Sequence, residues 1–189
     1  MPDDLRMRCI EEINSNPDEF WYWSGPLSDE FRQWFRKFID SANLDIWGEA
    51  SLGVFNRKHG SFGYWHCDSA GGDIRYGRRV FCCVYMTDTF DNGGALRLIP
   101  GSHTSTAYDS MKQRLADFVE DQNAEVTNLH EIYPDLHPEL CAHKDGEIIL
   151  EIPAGTVVIA DERIWHAVSR NKKSERRTMV MWWRWKPLS

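Results

Sequence analysis

The sequence predicts a mainly β domain, a β-sandwich or jelly roll with helical support. Residues 1–49 carry two helical patterns, and about eight short strand-like runs separated by Gly and Pro turns follow. The segment 104–146 interrupts the strands, and such an insertion in a compact domain predicts a lid over a functional opening. Because 189 residues can enclose one core and no linker is visible, we expect a single domain over residues 1–189.

The helical support is predicted from apolar spacing. Residues 3–14 form a short amphipathic pattern, and a second helix is predicted to begin with Ser28 as N-cap and to run to about Ala42. Between them lies the aromatic run Phe-Trp-Tyr-Trp at 20–23, which we interpret as core rather than as a pocket wall. The apolar stripe of the second helix consists of Phe31, Trp34, Phe35, Phe38 and Ile39.

The strands are predicted from runs rich in β-branched and aromatic residues bounded by turns. They span residues 50–56, 62–67, 79–87, 95–99, 147–152, 156–160, 165–169 and 177–186. Inside the insertion, the apolar spacing over 108–122 predicts a helix.

Composition excludes several classes of protein. The net charge is −7 and no Lys/Arg tract is present, so we expect no nucleic-acid partner. An odd number of cysteines, five, without a C-x-x-C pair predicts reduced thiols and a cytoplasmic location. No apolar run is long enough for a membrane span and no signal peptide is visible, so we expect no membrane partner.

Three residues form a candidate metal site. His66 and Asp68 lie two apart on a predicted strand, so their side chains point the same way. His166 opens a later strand and is the candidate third ligand. Two His and one carboxylate leave half an octahedron open, as in non-haem Fe(II) oxygenases. Without a metal, His66 and Asp68 would be a surface strand end and His166 an ordinary core histidine.

Two arginines begin the last strand, which is very apolar. Arg176 or Arg177 in this position needs an anionic partner, because a buried guanidinium without one is costly. A dicarboxylate cosubstrate would supply that partner through a bidentate contact, and an ordinary structural salt bridge would supply it equally well.

These residues together resemble the phytanoyl-CoA hydroxylase-like family. The resemblance rests on His66 and Asp68, the run NGGALRLIPGSH at 92–103, and His166 followed by Asn171 and Arg177. It implies an oxygenase with a double-stranded β-helix that depends on Fe(II) and 2-oxoglutarate. It also implies His66, Asp68 and His166 as iron ligands. Arg177, preferred over Arg176 by its spacing, is the implied partner of the far carboxylate of 2-oxoglutarate.

The resemblance implies a reaction with O2 that hydroxylates a small organic molecule and releases succinate and CO2. Cys83 and Tyr85 share a strand face and are candidates to line the cosubstrate pocket, unless they are plain core residues. His103, in the PGSH turn, is a candidate to support the metal ligands.

Three further functions remain open. A hydroxylase of protein or peptide side chains is the second candidate. The stretch 79–94 also resembles prolyl 4-hydroxylases, which share the fold and the cosubstrate. A non-catalytic jelly-roll binding module is the third, and an enzyme of the same fold with a different metal is the fourth.

Overall fold

The computed structural model describes residues 1–46, 52–60, 63–68, 78–104, 106 and 142–186. Within these ranges the chain forms two helices, α1 (Asp3–Asn14) and α2 (Pro26–Ser41). The strands are β1 (Phe20–Tyr22), β2 (Leu52–Arg57), β3 (Gly63–His66), β4 (Arg78–Tyr85), β5 (Leu96–Leu98), β6 (Ile148–Leu150), β7 (Val157–Asp161), β8 (His166–Val168) and β9 (Arg177–Lys186).

The strands form two antiparallel sheets. The larger sheet has the order β1-β2-β9-β4-β7 and the smaller sheet the order β3-β8-β5-β6. From β2 to β9 the chain changes sheet between consecutive strands, except that β5 and β6 pair with each other in the smaller sheet, an arrangement expected of a jelly roll. The mainly β fold predicted from the sequence is therefore confirmed.

The helices cover the outer face of the larger sheet. Buried apolar residues of α1 and α2 pack there with those of β2, β4 and β9, and Phe35 of α2 contacts Trp182 of β9 with ring centroids 5.5 Å apart. The prediction that Ser28 caps α2 is wrong, because the helix begins at Pro26, whose missing N–H is not needed at the first position. Ser28 instead donates its hydroxyl to the carbonyl of Gly25.

A second core fills the space between the sheets. Side chains alternate along β4, so that Phe81, Cys83 and Tyr85 face the smaller sheet while their neighbours face the helices. On β9, Met179 and Met181 lie in this inner core. Arg177 lies two residues before Met179 and therefore on the same face of β9.

The aromatic run at 20–23 forms the edge of the larger sheet. Trp23 is buried as predicted and Trp21 packs on the helix side, but Phe20 and Tyr22 are 40% and 64% exposed. The interpretation of the whole run as core is therefore wrong. Alternation along β1 turns Phe20 and Tyr22 away from the helices, at the edge of the sheet.

Some sequence predictions concern residues outside the described ranges. The predicted helix at 108–122 and most of the insertion at 104–146 lie outside the described residues. In the ranges that are described, no helix is long and apolar enough to cross a membrane. Among the described residues, Cys9, Cys67, Cys82 and Cys83 form no disulfide with one another.

Candidate metal centre

The two histidines are brought together by one strand pair of the smaller sheet. His66 ends β3 and His166 begins β8, and the two residues lie directly opposite each other in the antiparallel pair. Asp68 follows β3 by two residues, and its backbone N–H donates to the carbonyl of Glu162 at 3.0 Å. The turn before β8 thus holds the backbone of Asp68 in place.

The geometry of the three side chains is that of a metal site. Asp68 Oδ1 lies 3.6 Å from Nε2 of His66 and 3.6 Å from Nε2 of His166. All three potential ligand atoms lie within 4.8 Å of one another. His166 is buried, whereas His66 and Asp68 are partly exposed, so the cluster opens on one side.

Backbone carbonyls select the tautomer of both histidines. His66 Nδ1 lies 2.8 Å from the carbonyl of Tyr64, and His166 Nδ1 lies 3.0 Å from the carbonyl of Ile164. Because a carbonyl only accepts hydrogen bonds, Nδ1 carries the proton in each neutral ring. The unprotonated Nε2 atoms therefore face Asp68, with lone pairs available to a metal.

Burial shapes the ionisation of the cluster. Burial, reinforced by the neighbouring His66, lowers the pKa of His166 to about 4, so the ring is neutral at pH 7. Burial and the charge of Asp68 raise the pKa of Tyr64, whose ring lies beside His66, to about 12. Two neutral imidazoles and one carboxylate fit a divalent cation, and this donor set is the facial triad of non-haem Fe(II) oxygenases.

Arg177 lies in the inner core with donor atoms unused. It is 3% exposed, and its Nε and Nη2 are buried without a hydrogen-bond partner in the described parts of the chain. Its guanidinium carbon lies 5.3 Å from the centroid of the Tyr85 ring. The structural salt bridge that the sequence left open is not present within those parts, so the guanidinium is available to an anion.

The thiol of Cys83 lies near enough to Asp68 and to Arg177 for both charges to affect it. Burial raises the pKa of its thiol, the charge of Asp68 raises it further, and the charge of Arg177 opposes the shift. Burial also raises the pKa of Tyr85, against the effect of Arg177. Cys83 and Tyr85 are at most 1% exposed, so the surroundings of these two side chains are dry and of low dielectric.

The glycine turn before β5 packs directly on Arg177. A Cβ added to Gly94 would lie 3.2 Å from Cγ of Arg177 and 3.3 Å from its Cβ. Gly94 also has φ +77°, a conformation that favours glycine. The NGG part of the motif therefore makes room for the arginine side chain.

Sequence reasoning missed the role of Ser102. Its buried Oγ accepts the backbone N–H of Trp165, the residue before His166, at 2.9 Å. The sequence had indicated His103, whose buried Nδ1 has no partner within the described ranges. The PGSH motif was the available signal, but only the fold shows that its serine, and not its histidine, contacts the backbone beside the metal cluster.

Comparisons with known proteins agree with this geometry. The sequence profile of the phytanoyl-CoA dioxygenase (PhyH) family matches residues 21–179. No curated protein sequence matches the chain.

The fold is shared by several solved structures. HygX from Streptomyces hygroscopicus is 13% identical, with a TM-score of 0.66 over 98% of this chain and 78% of HygX. AviO1 from Streptomyces viridochromogenes Tue57 is 13% identical, with a TM-score of 0.62 over 100% of this chain and 87% of AviO1. A prolyl-4-hydroxylase from Pseudomonas putida is 15% identical, with a TM-score of 0.59 over 98% and 88% of the two chains.

Crystal structures of HygX contain iron in one case, and nickel with 2-oxoglutarate in another. The cofactor prediction, Fe(II) with 2-oxoglutarate, is confirmed by the family match together with the His-Asp-His donor set. The double-stranded β-helix implied by the sequence resemblance is confirmed as well. Because the profile spans most of its length, the chain belongs to the phytanoyl-CoA dioxygenase family of Fe(II)- and 2-oxoglutarate-dependent oxygenases.

Proposed function

We propose that this protein is a dioxygenase that hydroxylates a small organic molecule, with His66, Asp68 and His166 as its iron ligands. The observation that carries the proposal is the convergence of three ligand atoms within 4.8 Å of one another, from positions far apart in the sequence. Bound Fe(II) and 2-oxoglutarate supply the oxidation: O2 and 2-oxoglutarate are consumed, succinate and CO2 are released, and one oxygen atom enters a C–H bond of the substrate.

The protein's own contribution is to orient and to exclude water. The Nδ1–carbonyl hydrogen bonds hold both imidazole rings with Nε2 toward the metal position. Asp68 contributes the single negative charge and would complete the ligand set. Because it would take the position that a halide needs, hydroxylation is favoured over halogenation.

Arg177 is the proposed anchor for the far carboxylate of 2-oxoglutarate. Its unused Nε and Nη2 donors match a carboxylate in a bidentate contact. Cys83 and Tyr85 are the proposed walls of the pocket, and their burial keeps the local dielectric low. A charge pair formed there is much stronger than one formed in water.

The proposal of a small-molecule substrate is supported by the ligand bound to a structurally similar protein. A structure of HygX contains nickel, 2-oxoglutarate and hygromycin B, so this fold holds a small molecule together with the cosubstrate. Hydroxylation of a peptide side chain remains the second candidate from the sequence, and a succinate assay with both kinds of substrate separates the two.

The test is succinate release and cosubstrate binding with purified protein. We expect Fe(II)-dependent conversion of 2-oxoglutarate to succinate, stimulated by members of a metabolite panel and not by a proline-rich peptide panel. Under anaerobic conditions, Fe(II) with 2-oxoglutarate should give the visible charge-transfer absorption of the chelate. His166→Ala should abolish both, whereas His59→Ala, which removes an exposed imidazole, should leave both unchanged.

The absence of both succinate and cosubstrate binding in the folded wild-type protein would favour a binding module or a different metal. Stimulation by peptides alone would instead favour the side-chain hydroxylase.

A further inference from the structure

Arg176 takes no part in the site described above, although it is the direct neighbour of Arg177. It precedes β9 and lines a cavity of about 440 Å³ between the start of α1, the turn after β4 and the loop before β9. Arg177 also borders this cavity, whereas the three candidate metal ligands, Cys83 and Tyr85 do not. The side chains that matter for its chemistry are Arg6, Asp88, Phe90, Lys173, Glu175 and Arg176.

Besides Arg177, two cations of this cavity form no salt bridge within the residues that the structure describes. Nη1 of Arg176 is buried and has no hydrogen-bond partner in the described portion of the chain. Lys173 lies over the Phe90 ring, with Nζ 5.7 Å from the ring centroid. A buried guanidinium N–H without an acceptor is destabilising, so an acidic ligand would satisfy it.

Arg6 and Asp88, which also border the cavity, are already engaged. Arg6 is paired with Asp3 at 3.1 Å and donates to the carbonyl of Met86 at 3.0 Å. Asp88 Oδ1 accepts the backbone N–H of Ala154 at 2.7 Å. Because Asp88 and Glu175 border the cavity, a ligand with several negative charges would be repelled, and a single acidic group is favoured.

The apolar part of the cavity indicates an organic ligand. Phe90 is 48% exposed although it is a large aromatic residue, and its ring borders the cavity beside Lys173. The volume lies in the range of small-molecule sites and is far larger than a simple inorganic ion needs.

We propose that this cavity binds a small organic anion with one carboxylate or phosphate group held by Arg176 and Lys173, next to the Phe90 ring. The proposed contacts come from Arg176 and Lys173 and not from Arg177, the proposed cosubstrate anchor, although Arg177 borders the same cavity. The proposal does not depend on the proposed oxygenase activity. The possible ligands share one acidic group attached to an apolar group.

The probes are benzoate and phenyl phosphate, with neutral benzamide as the matched control, titrated calorimetrically into the full chain. We expect saturable binding of at least one acid and none of benzamide. Arg176→Gln and Lys173→Gln should each weaken binding about tenfold or more, the loss expected for one charge-assisted contact. Lys172→Gln removes the same charge one residue away, outside the cavity lining, and should change nothing.

A second measurement separates this site from the proposed cosubstrate pocket. The probe should bind equally well with and without saturating 2-oxoglutarate, and Arg176→Gln should retain 2-oxoglutarate binding. Three outcomes would overturn the proposal: no binding of either acid, unchanged affinity in both cavity variants, or competition between the probe and 2-oxoglutarate. Lys173 is exposed on a loop, so Lys173→Gln keeps the test valid if Arg176→Gln fails to fold.

Discussion

The histidines of the candidate centre are oriented by main-chain groups rather than by neighbouring carboxylates. Each ring donates from Nδ1 to the carbonyl two residues before it, Tyr64 for His66 and Ile164 for His166. The same local bond therefore fixes the tautomer on both strands. Because His166 is also buried and neutral, proton binding at this residue opposes folding as well as metal binding.

Stability of the metal-free protein should therefore fall in acid because of His166. Its pKa in the folded state is about 4, against about 6.5 in the unfolded chain. Below pH 6.5 the unfolded state binds the proton more readily, so stability is lost as the pH falls toward 4. Between pH 7 and pH 5 this effect should cost about 2 kcal/mol.

Urea unfolding of the metal-free wild type and of His166→Gln at the two pH values measures this effect. The variant should lose less stability on acidification, because its side chain does not titrate. An equal loss in both proteins would contradict the assignment of the effect to His166.

The choice between the two neighbouring arginines can be tested directly. Arg177→Gln should weaken 2-oxoglutarate binding by about 2–5 kcal/mol, the range measured when one partner of a desolvated charge pair is removed. Arg176→Gln, on the other face of the chain, is the matched control and should change affinity little. Calorimetric titration of 2-oxoglutarate into the Fe(II) protein without oxygen gives both values. A loss confined to Arg176→Gln would move the anchor to that residue.

At the scale of elements, turns place the side chains that matter. The turn before β5 brings Gly94 against Arg177, and the turn after β5 brings Ser102 to the backbone beside His166. Apolar alternation and turn residues predicted the eight strands β2 to β9 to within a few residues. They did not predict β1, because a run of consecutive aromatics has no alternation, and pairing with β2 is what makes it a strand.

Substitution of Gly94 tests the role of its turn. Gly94→Ala places a Cβ 3.2 Å from Cγ of Arg177 in a residue with φ +77°. Gly146→Ala is the matched control, because Gly146 has φ +76° and nothing within 4 Å of its added Cβ. Both should lose about 1–2 kcal/mol from the left-handed backbone, measured by urea unfolding.

Only Gly94→Ala should lose further stability and also weaken 2-oxoglutarate binding, because the arginine must move. Equal effects of Gly94→Ala and Gly146→Ala on stability, with cosubstrate affinity retained in both, would show that the contact does not position Arg177.

At the scale of the whole molecule, the larger sheet separates two cores. Its outer face packs on the helices, and its inner face carries Cys83, Tyr85 and Arg177 toward the smaller sheet. The sequence indicated His66 and Asp68 as candidate ligands because they lie two residues apart on one predicted strand, and it added His166 from a later strand through the family resemblance. The sequence did not decide between Arg176 and Arg177 as the anchor, because side-chain alternation gives a strand two faces. Only the packing of a second sheet determines which face is inside.

This separation predicts that the helical layer contributes stability without shaping the site. Phe35 of α2 is fully buried and its ring contacts Trp182 of β9, so Phe35→Ala should lower the free energy of unfolding by about 3–5 kcal/mol. Tyr22→Ala is the control on an exposed aromatic residue and should change it by less than about 0.5 kcal/mol. Urea unfolding of both variants gives these values.

In the folded fraction of Phe35→Ala, the affinities for Fe(II) and 2-oxoglutarate should stay within about 0.5 kcal/mol of wild type, because distant sites act additively. Anaerobic titrations at low temperature, where the variant remains folded, measure these affinities. An affinity about tenfold weaker would show that strain passes through the larger sheet, because that sheet lies between Phe35 and the inner core. The helical layer would then act on the site as well as on the fold.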